Sequence, residues 1–553
     1  MAKEPTPTLT PQTNASAPAS TFTATDPTAV SGLKVKSAAN ARGGANLYGF
    51  ASIETFCNAG ALSLTHDDAL GFYNYVKQFN APNFWYQDGG VQPWLYYEQY
   101  DSWQDTYGAD AVRTFYHSGH GGMDGNGIFY LPMGADWGGI GCTVTSNNMR
   151  LGNEYARYLF LSTCVSLRVG GGHSPIRTWW DANLGLRMIF GFETNSYDDA
   201  NYGKWFWEEW NKNKSLSTAW LDSSWRISHD QTPTAVGCGA TQAEAADRVF
   251  NERLLYGERA SKNWWWWRWQ GAVSAAAAVT SVPTDRHEAQ LAPAHLSAQA
   301  LFDRFEFGGP VESDGSARAD SGNRTLVRSP DGSFSANLGS PNLDNHTAPT
   351  AAMARGAADN LISRLALAGD TTLVHDRIIQ QYAAGGTAKG SGEMADVRTT
   401  ETIIQYRQTI NGVPVISPDG GKLRIAVDND GNVTRVDSAL RGVTGLSAGT
   451  GRSAPQQPEP EGKGRLRHDQ EPSPEPQAAY EAALTRAANA RLRRLVAAGG
   501  DGPVSVAAVP GTTEVGYAIQ GNDARLIASR GIEVDFGNGY RKKYRIETPL
   551  GSD

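Results

Sequence analysis

The first half of the chain alternates short apolar runs with longer segments of helical spacing. The apolar runs lie at 47–56, 112–116, 158–161 and 187–192, and helix-like segments lie at 174–184, 200–212, 216–229 and 240–256. Short continuous apolar runs are typical of parallel strands that are buried on both faces. The alternation predicts an α/β fold with a doubly wound, mostly parallel sheet and helices on both faces.

The second half has a different pattern. A helical segment at 351–367 precedes alternating apolar and polar positions at 401–436, with hairpin-turn pairs at Asn411-Gly412 and Asp430-Gly431. A second Ala/Arg-rich helix at 478–498 precedes another alternating stretch at 513–548. Alternation broken by Asn-Gly and Asp-Gly predicts antiparallel meanders, so we expect α+β units of one helix and one sheet.

Composition divides the chain further. All 16 Trp lie before residue 270, while residues 274–350 are rich in Ala, Pro, Ser, Gly and Asp. We therefore predict a disordered tail (1–43), an α/β domain (44–273), a linker (274–350), a helix-plus-meander domain (351–446), a second linker (447–477) and a second helix-plus-sheet unit (478–553).

Two of the predicted strands each end in small residues around one reactive side chain. The first would deliver His120, within Thr114–Gly122, and the second Cys164, within Tyr158–Leu167. Carboxyl ends of parallel strands share one sheet edge, where ligands and chemistry collect. A thiol and an imidazole placed there form a nucleophile and its base. The alternative is that Cys164 is a buried core thiol.

His117 lies three residues before His120 and complicates the assignment. It could replace His120 as the base, and the pair has a spacing that occurs in metal sites. The segment lacks the His-Glu-x-x-His pattern, and Asp124 is the only carboxylate close by in sequence. We therefore predict no metal site.

The two strand ends carry a resemblance. The segment ending in Ser-Gly-His-Gly, followed by Leu-Ser-Thr-Cys, resembles caspase-like (clan CD) cysteine peptidases of the metacaspase and CHAT type. The resemblance implies a caspase-like fold, His120 as the base because a glycine follows it, and an oxyanion held by the backbone amides of Gly121 and Cys164. The meander at 401–436 resembles the propeptide (FTP/PepSY-type) domain of fungalysin and thermolysin precursors, which inhibits the peptidase attached to it.

Further polar residues are candidates for a substrate pocket: His117, His173, Asp198 and Asp199. Asp198 and Asp199 follow a predicted strand and could bind a basic substrate side chain, although capping of the next helix is the favoured interpretation. The Trp264–Trp269 segment could form a glycan or peptide platform, but packing on the core is favoured.

Bulk properties exclude some classes of function. The net charge of -8, with no basic stripe, argues against a general nucleic-acid binder. No apolar run approaches the roughly 18 residues of a membrane span, and we find no cofactor motif and expect none. The four Cys favour buried free thiols, with Cys57–Cys238 as the candidate pair should one disulfide form. The sequence starts without a signal peptide, yet the propeptide resemblance favours secretion; a cytoplasmic location is the alternative.

These observations predict a cysteine endopeptidase precursor that acts on peptides or proteins through a Cys164–His120 dyad. Its own C-terminal domains would be the intramolecular inhibitor. The alternatives are an inactive caspase-like protein that binds glycan or peptide through its Trp-rich surface, and a transamidase that uses the same thiol.

Overall fold

A computed structural model describes residues 25–28, 46–98, 101–275, 287–293, 296–313, 315–387, 397–448, 475–497 and 502–550. The protein is mixed α/β, as predicted. Its helices are α1 (Thr65–Val76), α2 (Asp101–Tyr107), α3 (Pro175–Trp179), α4 (Tyr202–Asn211), α5 (Leu216–Ile227), α6 (Gln242–Asn251), α7 (Ala298–Arg304), α8 (Ala351–Arg364) and α9 (Glu475–Ala497). In the part of the chain that the structure describes, no helix is both long and apolar enough to span a membrane.

Strands fall into two groups along the chain. The first group is β1 (Tyr48–Ser52), β2 (Phe84–Gln87), β3 (Thr114–Ser118), β4 (Gly122–Met123), β5 (Phe129–Pro132), β6 (Thr143–Thr145), β7 (Tyr158–Ser162), β8 (Met188–Phe192), β9 (Pro233–Gly239) and β10 (Trp264–Ala275). The second group is β11 (His287–Pro293), β12 (Val311–Ser313), β13 (Ser316–Ser321), β14 (Arg324–Arg328), β15 (Phe334–Asn337), β16 (Thr372–Thr387), β17 (Arg398–Ile410), β18 (Val413–Pro414), β19 (Lys422–Asp428), β20 (Val433–Ser438), β21 (Arg441–Ala448), β22 (Ser505–Ala508), β23 (Glu514–Gln520), β24 (Asp523–Asp535) and β25 (Arg541–Pro549).

One large sheet runs through most of the molecule. Its order is β12-β13-β14-β15-β20-β19-β17-β16-β10-β9-β8-β7-β3-β1-β2. The stretch from β2 to β8 is parallel, whereas β9 and every strand beyond it pair in antiparallel fashion. Because β10 pairs with β16 along 11 register positions, the boundary expected near residue 273 lies inside a continuous sheet.

The Trp-rich segment is the strand that joins the two halves. Trp265 and Trp267 pack into the core on one face of the sheet, and Trp266 packs against Val249 of α6 on the other. These three side chains are at most 2% exposed, and those of Trp205, Trp207 and Trp210 are also buried. Packing on the core, the favoured interpretation, is therefore confirmed for these residues, and the alternative of an exposed platform is not found in this part of the described chain.

A buried ionic cluster also fixes the two halves to each other. Lys214, which is 4% exposed, places its Nζ 2.7 Å from both Glu209 and Asp222 and 2.9 Å from Asp437 of β20. Arg435 lies 3.5 Å from the same Asp222. An ammonium surrounded by three carboxylates is compensated by charge, whereas removal of one partner leaves a buried charge unpaired.

The C-terminal region and the predicted first linker both contribute strands to a second sheet. This sheet has the order β21-β11-β24-β22, and β23 and β25 also pair with β24. The prediction of a linker at 274–350 was wrong over the described residues, because this segment supplies β11, α7 and β12 to β15. The buried positions of these strands are occupied by small residues such as Ala289, Ala317 and Ala319. Small residues give only a weak hydrophobic periodicity in the sequence.

Two further expectations concern segments that are described only in part. Within the predicted tail, Leu255 donates a backbone hydrogen bond of 3.1 Å to Pro27, so residues 25–28 are ordered against the domain. The other residues of 1–43 lie outside the described part, as do residues 449–474 of the second predicted linker. The meander expected at 401–436 is present as β17 to β20, with positive φ at Asn411, Gly412 and Gly431.

Candidate active site

Strand register brings His120 and Cys164 to one edge of the sheet. In the parallel pair β3 and β7, Ser118 lies opposite Ser162. His120 and Cys164 each follow that register pair by two residues, so the two loops leave the edge side by side. Gly121 makes the close approach possible: a Cβ there would lie 2.7 Å from the Cys164 carbonyl oxygen and 3.0 Å from the Thr163 Cβ.

The turn that carries Cys164 is strained. Val165, immediately after Cys164, has a φ of 49°, a left-handed conformation that is unfavourable for a β-branched residue. Its amide donates to Thr194 at 3.1 Å and the amide of Leu167 donates to Phe192 at 2.9 Å, so the segment after β8 holds this turn in place. Such conformations cost on the order of 1–3 kcal/mol and cluster at functional sites.

The imidazole of His120 has a defined tautomer. Its Nε2 lies 3.0 Å from the Gly60 carbonyl oxygen, which can only accept, so the proton is on Nε2. Nδ1 is then an acceptor, and it has no hydrogen-bond partner among the described residues. The ring packs on Phe56 with centroids 4.9 Å apart. Loss of water by burial, followed by the positive charge of Lys542, lowers the pKa of His120 to about 3.

His117 is held in a different environment. Its Nδ1 lies 2.6 Å from the hydroxyl oxygen of Tyr96, and burial with the nearby Lys542 charge lowers its pKa to about 3 as well. Its position within β3, opposite Ala51 and Leu161, fixes it behind the strand end rather than beyond it. Its Nε2, like Nδ1 of His120, has no hydrogen-bond partner among the described residues, so position beyond the strand end, rather than hydrogen bonding, leaves His120 as the candidate base.

The other predicted pocket residues separate. Asp198 is buried and accepts from Arg491 of α9 at 3.2 Å and from the backbone of Ser63 at 3.1 Å. Asp199 accepts from the amide of Asn201 at 2.9 Å, in the turn before α4. The favoured interpretation as a helix cap was wrong, because Asn201 occupies the N-cap position and the first-turn amide of Gly203 donates to Asp68. His173 lies in a separate loop near Arg168 and Arg177, and burial followed by these two charges lowers its pKa.

The chain's own C-terminal strand covers Cys164. The carbonyl oxygen of Arg541, at the start of β25, lies 3.0 Å from Cys164 Sγ. Next to it, the amide of Lys543 donates to Ser196 at 3.1 Å and its carbonyl accepts from Asp198 at 2.8 Å. These two bonds flank Tyr197 in a parallel bridge. The arrangement is that of an extended peptide bound along the segment that follows β8.

The turn between β24 and β25 completes this cover. Phe536 and Tyr540 place their rings 5.0 and 5.8 Å from that of His120. A Cβ on Gly60 would lie 2.0 Å from Phe536, and a Cβ on Gly539 would lie 2.2 Å from the Tyr130 hydroxyl. The turn therefore fits between the His120 loop and the β4–β5 hairpin, and it leaves Cys164 and His120 fully buried.

A disulfide supports the loop that orients His120. Cys57 pairs with Cys142, with their Cα atoms 6.1 Å apart. The candidate pair Cys57–Cys238 was wrong, because Cys238 lies in β9, is buried, and accepts a 3.2 Å hydrogen bond from Asn183. Proximity of Cys57 and Cys142 depends on how the loop after β1 meets the β5–β6 hairpin, which no local pattern encodes.

Sequence patterns did not indicate several residues of the site. Ser196 contacts Cys164 directly: its amide donates to Sγ at 3.3 Å. Gly60 orients His120 through a carbonyl, which any residue type could supply, so no residue signal marks it. Lys542 lies far along the chain, and only the basic run Arg541-Lys542-Lys543 sets it apart.

Comparison with known families adds one match. A family described as a domain of unknown function (DUF6345) matches residues 49–271, less than half of the chain. The matched range begins in β1, ends in β10, and contains His120, Cys164 and Ser196 but not β25. No curated protein matches the chain.

Substitution of Gly121 tests the contact between the two loops. We expect Gly121→Ala to lower the free energy of unfolding by about 1–3 kcal/mol, because its methyl group overlaps the Cys164 backbone. Gly125→Ala is the matched control, since a Cβ there meets nothing within 4 Å. Chemical denaturation of both variants measures the difference, and equal stabilities would contradict the close packing.

Proposed function

We propose that this chain is a cysteine endopeptidase with a caspase-like arrangement of Cys164 and His120, held closed by its own C-terminal strand. The observation that carries the proposal is the extended pairing of Lys543 with Ser196 and Asp198, which lays a peptide bond against Cys164 Sγ. An edge that binds one peptide segment beside a thiol and an imidazole suits the binding of peptide substrates.

The chemistry follows from the groups at this edge. The thiol proton passes to Nδ1 of His120, and the thiolate adds to a substrate carbonyl carbon. The backbone amides of Gly121 and Cys164 are the candidate oxyanion donors. The C–N bond breaks as the imidazolium gives its proton to the leaving amine. Water then cleaves the thioester and restores the thiol.

In the closed form this sequence is blocked at two points. The Arg541 oxygen accepts a hydrogen bond from the Cys164 thiol, so a segment of the chain itself occupies the space in front of the sulfur. The neutral His120, whose pKa is lowered to about 3, is buried beneath Phe536 and Tyr540. The C-terminal region would therefore inhibit through the strand β25 and the turn before it, rather than through the propeptide-like meander at β17 to β20.

Two properties support the wider expectation of a secreted precursor. The Cys57–Cys142 disulfide is of a kind that persists mainly outside the reducing cytosol. The inhibitor is joined covalently to the enzyme, and a tethered segment has a high effective concentration at its site.

The direct test compares full-length variants that weaken the cover. We expect the double variant Phe536→Ala/Lys542→Ala to cleave an unfolded protein such as casein at least tenfold faster than the wild type, because it removes two buried contacts of the cover. The same double variant with Cys164→Ala should be inactive. Arg525→Ala is the control, since Arg525 lies on the adjacent β24 with its side chain 59% exposed.

Gel electrophoresis and intact mass would follow both the substrate and the chain itself. A double variant that remains folded, exposes Cys164 to a thiol reagent and cleaves nothing would contradict the proposal. That result would favour the inactive binding protein. Joining of peptides in place of hydrolysis would favour the transamidase.

Acidity should open the cover. On release, His120 regains contact with water and a pKa near its ordinary value of about 6.5, whereas in the closed form it is about 3. Between these values the open form binds a proton that the closed form does not, so closure weakens by up to about tenfold per pH unit as pH falls below about 6.5.

Hydrogen exchange of the Lys543 amide, corrected for the intrinsic pH dependence of exchange, measures this opening. The slope of the opening free energy against pH reports the protons that the protein binds on opening. His120→Gln, which retains a donor for the Gly60 carbonyl, should flatten it. An equal slope in both proteins would contradict the role assigned to His120.

A further inference from the structure

Lys542 occupies a pocket beside the candidate nucleophile. Its side chain is only 1% exposed. The Nζ atom donates to the carbonyl oxygen of Gly119 at 3.2 Å and to the hydroxyl of Ser196 at 3.1 Å. Among the described residues, no carboxylate lies within ion-pairing distance of this ammonium.

The neighbouring basic residues behave differently. Arg541 pairs with Asp535 at 3.0 Å, and Lys543 pairs with Asp230 at 2.8 Å. An ammonium is costly to bury unless polar groups replace its water. Lys542 is nevertheless the residue of this basic run that enters the pocket, so the uncharged oxygens of Gly119 and Ser196 must supply that replacement.

Ser196 links this pocket to the nucleophile. Its amide donates to Cys164 Sγ at 3.3 Å, its carbonyl accepts from the Lys543 amide at 3.1 Å, and its hydroxyl accepts from Lys542. The residue that pairs with the bound backbone therefore also contacts the buried ammonium. Binding of this side chain in the pocket would therefore help to fix where the peptide bond lies relative to Cys164 Sγ.

We propose that this pocket is the specificity pocket of the site, that it takes a lysyl side chain next to the bond that Cys164 attacks, and that Ser196 is its specificity-determining residue. The inference rests on the proposed function, because it names the substrate class of the same site. In this proposal the pocket lined by Ser196 takes the place of Asp198 as the group that would recognise a basic substrate, because the Asp198 carboxylate already pairs with Arg491.

The geometry favours lysine over arginine. An ammonium has three donors that rotate to meet separate acceptors, whereas a guanidinium is a planar fork of five donors suited to a carboxylate. The Gly119 carbonyl and the Ser196 hydroxyl are two separate uncharged acceptors, with no carboxylate beside them among the described residues, so they suit an ammonium better than a guanidinium. A glutamine-sized or acetylated side chain would lose the charge-assisted hydrogen bonds altogether.

A binding experiment tests the pocket without relying on catalysis. The protein is the full-length double variant Phe536→Ala/Lys542→Ala that also carries Cys164→Ala. The probes are fluorescent peptides of residues 537–546 with lysine, arginine or acetyl-lysine at position 542. We expect the lysine peptide to bind at least about tenfold more tightly than the acetyl-lysine peptide, with arginine between them.

Ser196→Ala in the same background should reduce the ratio of lysine to acetyl-lysine affinity by about threefold or more. Equal affinities for the three peptides, or a ratio unchanged by Ser196→Ala, would overturn the inference. Thermal unfolding of each variant checks that the background remains folded.

Cleavage mapping separates this inference from the proposed function. The active double variant is incubated with a mixed peptide library, and the cut bonds are identified by mass spectrometry. Lysine enriched at the residue that follows the cut bond supports the pocket, because Lys542 follows the Arg541 carbonyl that lies at Cys164 Sγ. Cleavage without that enrichment overturns the inference and leaves the peptidase proposal intact. No cleavage contradicts the peptidase, and the binding ratio then decides the pocket alone.

Discussion

The arrangement of the candidate site depends on the pairing of Lys543 with the segment after β8. Its two backbone hydrogen bonds, to Ser196 and from Asp198, fix where the residues before it lie. The Arg541 oxygen then meets Cys164 Sγ, and the Lys542 side chain enters its pocket. Each backbone bond contributes only about 0.5–1.5 kcal/mol, but the strand is part of the same chain, so a modest contact energy suffices for closure.

The rest of the molecule holds this strand in place from several directions. β25 pairs with β24 over nine register positions, Arg491 of α9 reaches Asp198, and Arg530 of β24 pairs with Glu481 of α9 at 2.7 Å. The large sheet and the Lys214 cluster prevent the two halves from separating as independent domains. Under the proposed function, opening would therefore be a local event at β25 and the turn before it, which suits control by a small change such as protonation of His120.

Local sequence patterns predicted the parts of the fold that depend on local physics. The strand ends that carry His120 and Cys164 are where apolar runs break into small residues, and Asn411, Gly412 and Gly431 in the two hairpin turns adopt the left-handed backbone that these residues permit. The candidate pair could be identified because parallel strands end at a common edge.

Long-range contacts could not be predicted in this way. The pairing of Trp264–Ala275 with β16, the Cys57–Cys142 disulfide and the contact between Arg541 and Cys164 join segments far apart in sequence, and backbone pairing leaves no residue signature. The role of Ser196 was missed for the same reason: a serine after a strand is ordinary until a distant lysine is placed beside it. Small residues such as Ala289 and Ala319 hid the strands of the predicted linker.

Thiol labelling of the native protein tests the central claim, that the chain's own C-terminal strand covers Cys164. Peptide mapping after brief treatment with a small maleimide would quantify each cysteine. Cys238 serves as the internal reference, because it is buried and its pKa is raised to about 12 by burial. We expect Cys164 to be inert in the wild type and reactive in Phe536→Ala/Lys542→Ala, with Cys238 inert in both. Rapid labelling of Cys164 in the wild type would contradict the account, and so would an inert Cys164 in the folded double variant.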